Sequence, residues 1–199
     1  MKRLLFYFAG LVLLLTQTSC GFNDMTQKDQ AVKGQWANVQ SAYQRRADLI
    51  PNLVASVKGA AAQERNVLRE VTEARANATR ITISPEQLRD PEAMRAFSEA
   101  QGRLSSAIIP LQRLQEAYPD LKTNQNFLSL QSQIEGTENR ITIARQDYNQ
   151  AVQAYNTQIR TFPAVIGAKV IYGAEPMVPF QATTANADQA PAVDFGNTQ

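Results

Sequence analysis

The sequence contains no histidine, which removes the commonest general base and the commonest transition-metal ligand. It also excludes every Ser-His and Cys-His nucleophile arrangement. Gly34, Gly59, Gly102 and Gly136 stand alone, so the body of the chain has no glycine-rich phosphate loop. The sequence does not predict two carboxylates close together, as the cleavage of glycosidic bonds requires. The sequence therefore predicts no catalytic residue, no metal site and no cofactor.

Cysteine is scarce as well, because Cys20 is the only one and no intrachain disulfide is possible. The chain has 20 Lys and Arg against 18 Asp and Glu. Loss of a leader that contains Lys2 and Arg3 would leave the two signs balanced. A neutral chain with interspersed charges has no footprint for nucleic acid and no polybasic patch for anionic lipid. We therefore expect no nucleic-acid partner.

The N-terminus has the layout of a secretory signal peptide. Lys2 and Arg3 precede an apolar run at residues 4–15, and Thr18-Ser19 precede the cysteine. The run is short for a bilayer span, which takes about 17–25 residues. The arrangement resembles a bacterial lipoprotein signal, with Cys20 as the lipid attachment site. Residues 1–19 are thus predicted to be a signal peptide or an uncleaved membrane anchor, unless Cys20 is an unrelated buried cysteine, and residues 20–27 a short linker.

Residues 32–81 carry one apolar stripe at helical spacing. Its positions are Val32, Trp36, Val39, Tyr43, Arg46, Ile50, Leu53, Val57, Ala60, Glu64, Val67, Val71, Ala74, Ala78 and Ile81. A seam with period 3.5 predicts a helix that supercoils against partners. Pro51 has no N–H to give to Ala47 and crowds its carbonyl, but the register does not slip there. The pattern therefore predicts either one helix kinked at Pro51 or two helices joined by a turn.

Two helix start signals precede the second predicted helix. Ser84-Pro85-Glu86-Gln87 has the form of a capping box with a first-turn proline, and Asp90-Pro91-Glu92 repeats the signal. The apolar stripe that follows consists of Met94, Phe97, Leu104, Ile108, Leu111 and Tyr118. Tyr118-Pro119 is predicted to end this helix.

The third helical segment, which is predicted to start between Pro119 and Asn124 and to run to Phe162, has the most regular pattern. Large residues recur every seven positions at Phe127, Ile134, Ile141, Tyr148, Tyr155 and Phe162. The three segments together predict an all-α fold, an elongated antiparallel bundle of three to four long helices over residues 28–163. Residues 164–199 contain prolines and no helical period. They are predicted to be a partly mobile tail with an extended piece at residues 169–172.

Four polar residues on these helices are candidates for a functional or structural role. Arg46 and Glu64 occupy seam positions, where a polar layer can fix the register, and Arg46 is expected to meet Glu138 or Glu116 on a neighbouring helix. Asn149 and Asn156 lie seven residues apart beside the aromatic row. They form a candidate interaction face, either a docking ledge for another helix or the solvated flank of the bundle. A surface position of this kind predicts a cost under about 1 kcal/mol for Asn149→Ala.

Two groups of motifs resemble the LemA family of bacterial envelope proteins. The first group is WANVQ at residues 36–40, RADLIPNLV at residues 46–54 and VKG at residues 57–59. The second is YPDLK at residues 118–122, ENRI at 138–141, YN at 148–149 and 155–156, and FP at 162–163. The ending PAVDF at residues 191–195 looks like the tail motif of the family. The resemblance spans most of residues 28–165.

The resemblance implies a bundle of about four long helices, attached to a membrane and lying outside the cytoplasm. It implies no catalytic residue, because the family has no established biochemical activity. Members often accompany TPM-domain membrane proteins, so such a protein is an expected partner. We expect an interaction or scaffold module for another envelope protein, on the periplasmic side or at the outer membrane, and not an enzyme. A periplasmic small-molecule binder is the alternative, and an enzyme with a site between helices is the weakest one.

Overall fold

The structure is a computed structural model that describes the backbone of residues 19–181 and the side chains of residues 24–181. This part of the chain contains α1 (Ser19–Lys58), α2 (Arg65–Arg80), a 3-10 turn (Glu86–Arg89), α3 (Pro91–Ala117), α4 (Pro119–Thr123), α5 (Gln125–Gln158) and α6 (Ala164–Val170). It contains no β-strand, and the predicted all-α class is confirmed. The predicted signal or anchor, the Cys20 thiol and residues 182–199 lie outside the residues or side chains described.

Four long helices run up and down beside one another. The guanidinium of Arg46 on α1 meets the carboxylate of Glu138 on α5, and the ring of Trp36 lies 5.4 Å from that of Tyr148, so these helices are antiparallel. The pair α2 and α3 is antiparallel as well, because α3 bonds to Ala78 from its first half and to Glu64 from its end. At about 1.5 Å per residue, α1 is roughly 60 Å long. The predicted elongated antiparallel bundle is confirmed.

The first helix begins earlier than the sequence predicted. Residues 20–27 were expected to form a linker, but their backbone is already part of α1. No proline interrupts the chain here, and two i,i+4 pairs support the helix, Asp24–Lys28 at 3.4 Å and Asp29–Lys33 at 2.6 Å. An acid placed four residues before a base is the favourable orientation for such a pair.

The break in the first helical segment lies after Pro51 and not at it. Helix α1 passes through Pro51 and ends at Lys58, so the helix is continuous at the proline but does not reach Ile81. The amides of Ala60 and Ala61 both bond to the Val57 carbonyl, which forms a turn before α2. The apolar pattern continues through this turn because α1 and α2 face the same core, where Val71 and Ala78 are buried. The pattern therefore does not reveal the break.

The start signals of the second helix are confirmed in detail. The Asp90 carboxylate accepts the backbone N–H groups of Glu92 and Ala93 and caps α3. The Gln87 side chain accepts the N–H of Ser84 at 2.9 Å, as a capping box requires. That first signal opens only the 3-10 turn, because Asp90 begins a new helix four residues later.

The regular row of the third segment is buried for five of its six members. Phe127, Ile134, Ile141, Tyr148 and Tyr155 are all nearly inaccessible. Helix α5 ends at Gln158, so the prediction that it reaches Phe162 is wrong and that ring is 76% exposed. The extended piece predicted at residues 169–172 is also wrong, since residues 164–170 form α6. Gly173, with φ of 54°, turns the chain out of α6 into an extended stretch, a conformation that favours glycine.

The buried apolar residues form two separate clusters along the bundle. The aromatic cluster contains Trp36, Tyr43, Phe97 and Tyr148 with Met25 and Ile159 toward one end. The aliphatic cluster contains Ile50, Leu53, Leu104, Leu111 and Phe127 toward the other end. The only buried polar side chains in the described part of the chain are Arg46, Gln101 and Thr137. The molecule thus has a polar layer between two apolar cores.

Candidate functional site

The polar layer is centred on Arg46, whose side chain is almost completely buried. One terminal nitrogen, Nη1, donates to Ser105 Oγ at 2.6 Å and to Glu138 Oε1 at 2.9 Å. The other, Nη2, donates to the side-chain oxygen of Gln101 at 2.7 Å and to its carbonyl at 3.1 Å. The predicted pairing of Arg46 with Glu138 is therefore confirmed, and the predicted charge in the seam has partners on two other helices.

The neighbours of Arg46 complete a link among all four long helices. Gln101 on α3 donates its amide to the Ala78 carbonyl at the end of α2. The Tyr43 ring lies 5.1 Å from the guanidinium carbon, a cation–π distance. Burial raises the pKa of the Tyr43 phenol, and the nearby Arg145 and Arg46 charges oppose that rise. This arrangement fixes the register of the helices and leaves Arg46 no free donor for a substrate except its unpaired Nε.

Glu64, the second polar residue of the predicted seam, lies at the far end of the bundle. It precedes α2, and its carboxylate accepts the Tyr118 hydroxyl at 2.9 Å. The hydrogen bond to this anion raises the pKa of the Tyr118 phenol, because ionisation would place two negative charges together. The contact ties the turn before α2 to the end of α3.

Asn149 and Asn156 hold a segment of the same chain, residues 174–181, which we call the strap. The Asn156 amide donates to the Met177 carbonyl at 2.8 Å and accepts the Met177 N–H at 2.9 Å. The Asn149 amide makes the same pair of bonds with Phe180, at 3.1 and 2.8 Å. Each asparagine thus binds both backbone groups of one strap residue, as a neighbouring β-strand would.

The spacing of the two asparagines matches the spacing of the strap. Seven residues along a helix span about 10.5 Å. Three residues of extended chain, from Met177 to Phe180, span about 10 Å. Because the two lengths agree, both amides can engage the strap at once, with the strap running antiparallel to α5.

Other groups satisfy most of the remaining strap backbone. The Val178 N–H donates to the Leu88 carbonyl, and its own carbonyl accepts the Tyr148 hydroxyl, both at 2.9 Å. The Gln181 carbonyl accepts a bond from Arg145 at 3.2 Å. Pro179 has no N–H, so the four residues from Met177 to Phe180 present three backbone donors. All three are bonded. These hydrogen bonds to the strap are therefore all made by its backbone.

Two strap side chains close the aromatic cluster. Met177 and Phe180 are buried, and the Phe180 ring stacks on Trp36 with centroids 5.8 Å apart. The guanidinium carbon of Arg145 lies 4.8 Å from the centre of the same ring. Burial raises the pKa of the Tyr148 phenol beneath the strap well above its ordinary value. The strap is therefore part of the core and not a loosely attached tail.

Neither reading of the Asn149 and Asn156 stripe anticipated this arrangement. The pair was expected to face another helix or solvent, whereas it faces an extended segment of its own chain. Met177 and Phe180 were missed as core residues because an extended stretch has no helical period. The alternation of prolines with apolar residues in PMVPF at residues 176–180 was the available signal.

The outer side of the clamp forms a groove of about 310 Å³ that includes Gln153 and Thr157 of α5, Arg160 just after α5 and Pro179 of the strap. In residues 24–181 no group of three or more His, Cys, Asp or Glu side chains is arranged to hold a metal ion. None of the helices in the described part is long and apolar enough to cross a membrane.

These features define an all-α, four-helix protein with a buried polar layer and a strap clamped on one helix. The chain belongs to the LemA family, whose model matches residues 35–195. It is similar to Magnetosome protein MamQ 1 of Paramagnetospirillum magneticum, at 24% identity over 158 residues, 71% of this chain and 58% of the relative. It is also similar to Protein LemA of Metamycoplasma hominis, at 23% identity over 143 residues, 70% of this chain and 60% of the relative. The chain thus aligns with about three fifths of the length of these relatives.

Proposed function

We propose that the chain is a membrane-anchored interaction module of the cell envelope, which presents α5 and the clamped strap to another envelope protein. The observation that carries the proposal is the double clamp of Asn149 and Asn156 on the strap backbone. It fixes an extended segment against a helix and so makes one rigid surface from two elements. Rigid, preformed surfaces lose less conformational entropy when they bind a partner.

The proposed contact region is the groove between α5 and the strap, lined by Gln153, Thr157, Arg160 and Pro179. Its residues are exposed apart from the two half-buried asparagines and buried Val152, and they offer hydrogen-bonding groups and one cation. The proposal involves no catalytic step, and the Glu138 carboxylate of the polar layer is engaged by Arg46. A TPM-domain membrane protein is the first candidate for the partner, on the resemblance to the family alone.

The anchoring part of the proposal depends on residues 1–20. The cationic start, the apolar run and Cys20 support a lipid anchor, with a retained apolar anchor as the alternative. Either one would place the start of α1 at the membrane, with the bundle extending on the periplasmic side.

Photo-crosslinking in living cells tests the contact region. A benzophenone amino acid replaces Gln153 or Thr157, and in the control it replaces Arg69, which is exposed on α2. We expect an adduct with the same membrane protein from both α5 positions and none from Arg69. Equal adducts from all three positions, or a protein adduct from Arg69 alone, would place the interaction elsewhere. No protein adduct at any position would favour the small-molecule binder.

A further inference from the structure

Five large apolar side chains are exposed within a stretch of 11 residues that includes α6. They are Phe162, Ile166, Val170, Ile171 and Tyr172, which we call the end patch; Phe162 is 76% and Val170 80% exposed. The other exposed large apolar residues of the described chain, Ile109, Leu128 and Ile143, are isolated from one another in sequence. A concentration of this kind marks an interaction surface.

The end patch lies at the end of the bundle where α1 begins. The contacts Arg46–Glu138 and Trp36–Tyr148 show that ten residues back along α1 correspond to ten residues forward along α5. The same register brings Met25 beside Ile159, and both belong to the aromatic cluster. Helix α6 packs against α1 and buries Ala168 in that cluster. The patch is therefore level with the first turns of α1, a few residues after Cys20.

The orientation of α6 follows from its spacing. Ile166 and Val170 are four residues apart and share a face, while Ala168, two residues from each, points into the core. Helix α6 therefore packs one face against the bundle and exposes a second, apolar face that a binding partner could bury.

From residue 148 to residue 174, an interval that contains the patch, the charges along the chain are of one sign. No Asp or Glu occurs between Asp147 and Glu175, whereas Arg160 and Lys169 lie within this interval. Both cations are exposed and have no ion-pair partner in the described part of the chain. Large apolar side chains rimmed by cations and a half-exposed tyrosine are the composition of a surface that lies in a membrane interface.

We propose that the end patch inserts into the interfacial layer of the bilayer that anchors the chain, as a second membrane contact beside the N-terminus. A second copy of the chain fits the patch less well, because its Arg160 and Lys169 would face their own equivalents. Residues 4–15 are also a poor cover, since the proposed anchoring either removes them with the signal or places them in the bilayer. Two attachments at separate points would hold the bundle in a fixed orientation.

The inference rests on the membrane attachment in the proposed function, and one experiment separates the two. The full-length chain in membranes that contain a diazirine-bearing phosphatidylethanolamine and phosphatidylglycerol is irradiated, digested and mapped by mass spectrometry. We expect lipid adducts both on the N-terminal peptide and on the peptide containing residues 162–172. Adducts on the N-terminal peptide alone would overturn the end patch but keep the anchor, and adducts on neither would overturn both.

Substitutions make the same test quantitative. Val170→Glu places a charge at an exposed site in the patch, so the fold should melt as the wild type does while adduct yield at residues 162–172 falls several-fold. Ile143→Glu is the matched control, an equally apolar exposed residue in the middle of α5, and should leave the yield unchanged. Equal yields in both variants, or crosslinks from the patch to a second copy or to residues 4–15 in place of lipid, would overturn the proposal.

Discussion

Arg46 and Glu138 are 2.9 Å apart, yet the arginine side chain is 1% exposed and the glutamate side chain 42% exposed. The two charges of this ion pair are therefore in different environments. Without Arg46, Glu138 remains hydrated, while Gln101 and Ser105 lose a buried partner. Without the Glu138 charge, Arg46 keeps Gln101 and Ser105. The arginine is the member on which the polar layer depends.

This asymmetry predicts unequal effects of substitution on the free energy of unfolding. Arg46→Ala should cost about 2–4 kcal/mol, because it leaves a cavity and unpaired polar groups. Arg46→Met fills much of the same volume and should cost less than Arg46→Ala, but still about 1–3 kcal/mol, because the Gln101 side-chain oxygen is left without a donor. Glu138→Gln should cost under about 1 kcal/mol, as exposed pairs do. Urea melts measure all three, and an Arg46→Met variant as unstable as Arg46→Ala would contradict the packing argument.

The clamp on the strap predicts a larger role for Asn149 than a surface residue would have. Asn149→Ala leaves the N–H and carbonyl of Phe180 without partners, so we expect a cost of about 1–3 kcal/mol, above the value expected from the sequence. Hydrogen exchange should show the reason directly, with faster exchange at the amides of Met177, Val178 and Phe180. Asn156→Ala should act in the same way at Met177.

Asn139→Ala is the matched control for the clamp. Asn139 lies on the same helix and is exposed, with no strap contact, so the change in helix propensity is the same in all three variants. It should leave the strap amides protected. Equal protection in Asn149→Ala and Asn139→Ala would mean that the side-chain rings of the strap, and not the asparagines, hold it in place.

The phenol beneath the strap predicts a loss of stability at alkaline pH. Below about pH 10 Tyr148 is protonated in both the folded and the unfolded chain, so its contribution is complete. Above that pH the unfolded chain loses the proton while the buried phenol, whose pKa is raised, keeps it. Unfolding is then favoured by up to about 1.4 kcal/mol per pH unit for this group.

Tyr148→Phe isolates this contribution. The variant lacks the hydrogen bond to the Val178 carbonyl and should be less stable than the wild type by about 0.5–1.5 kcal/mol at pH 8. It has no phenol to ionise at this position, so its stability should fall less steeply above pH 10 and the two curves should converge. Urea midpoints from pH 8 to 11 measure this difference. Parallel curves would mean that burial does not raise this pKa.

The parts of the structure that could be predicted from the sequence are those with a repeating or local signal. The row from Phe127 to Tyr155 predicts a buried helix face because every seventh residue returns to the same side. The cap at Asp90 is a local match between a side chain and two free N–H groups. Arg46 in an apolar seam predicts a partner because a buried charge is costly without one.

The parts that could not be predicted depend on contacts between distant segments. The turn at residues 59–64 leaves the apolar seam intact because α1 and α2 line one core. The strap has no period, and its bonds join its own backbone to side chains more than 20 residues away. The sequence shows that Asn149 and Asn156 are seven residues apart, but not that this spacing matches Met177 and Phe180 of the strap.

Pro51 offers a test of how the bundle accommodates a proline inside a helix. The Ala47 carbonyl, which the missing N–H of residue 51 would have bonded, accepts Arg75 Nε on α2 at 2.7 Å. A neighbouring helix thus supplies the donor that the proline lacks. Because residue 51 is exposed and helical, Pro51→Ala should stabilise the fold by about 1–2 kcal/mol, a gain reduced by the greater freedom of the unfolded chain.

A double-mutant cycle tests whether Arg75 replaces the N–H donor that residue 51 lacks. In the wild type, Arg75→Ala leaves the Ala47 carbonyl without a donor and should cost about 1–2 kcal/mol. In the Pro51→Ala background the new N–H bonds that carbonyl, so the same change should cost less by roughly 1 kcal/mol. Arg69→Ala, an exposed arginine on the same helix, should be additive with Pro51→Ala. If Arg75→Ala proves equally additive, its bond to Ala47 does not compensate for the proline, and the helix must tolerate Pro51 by another means.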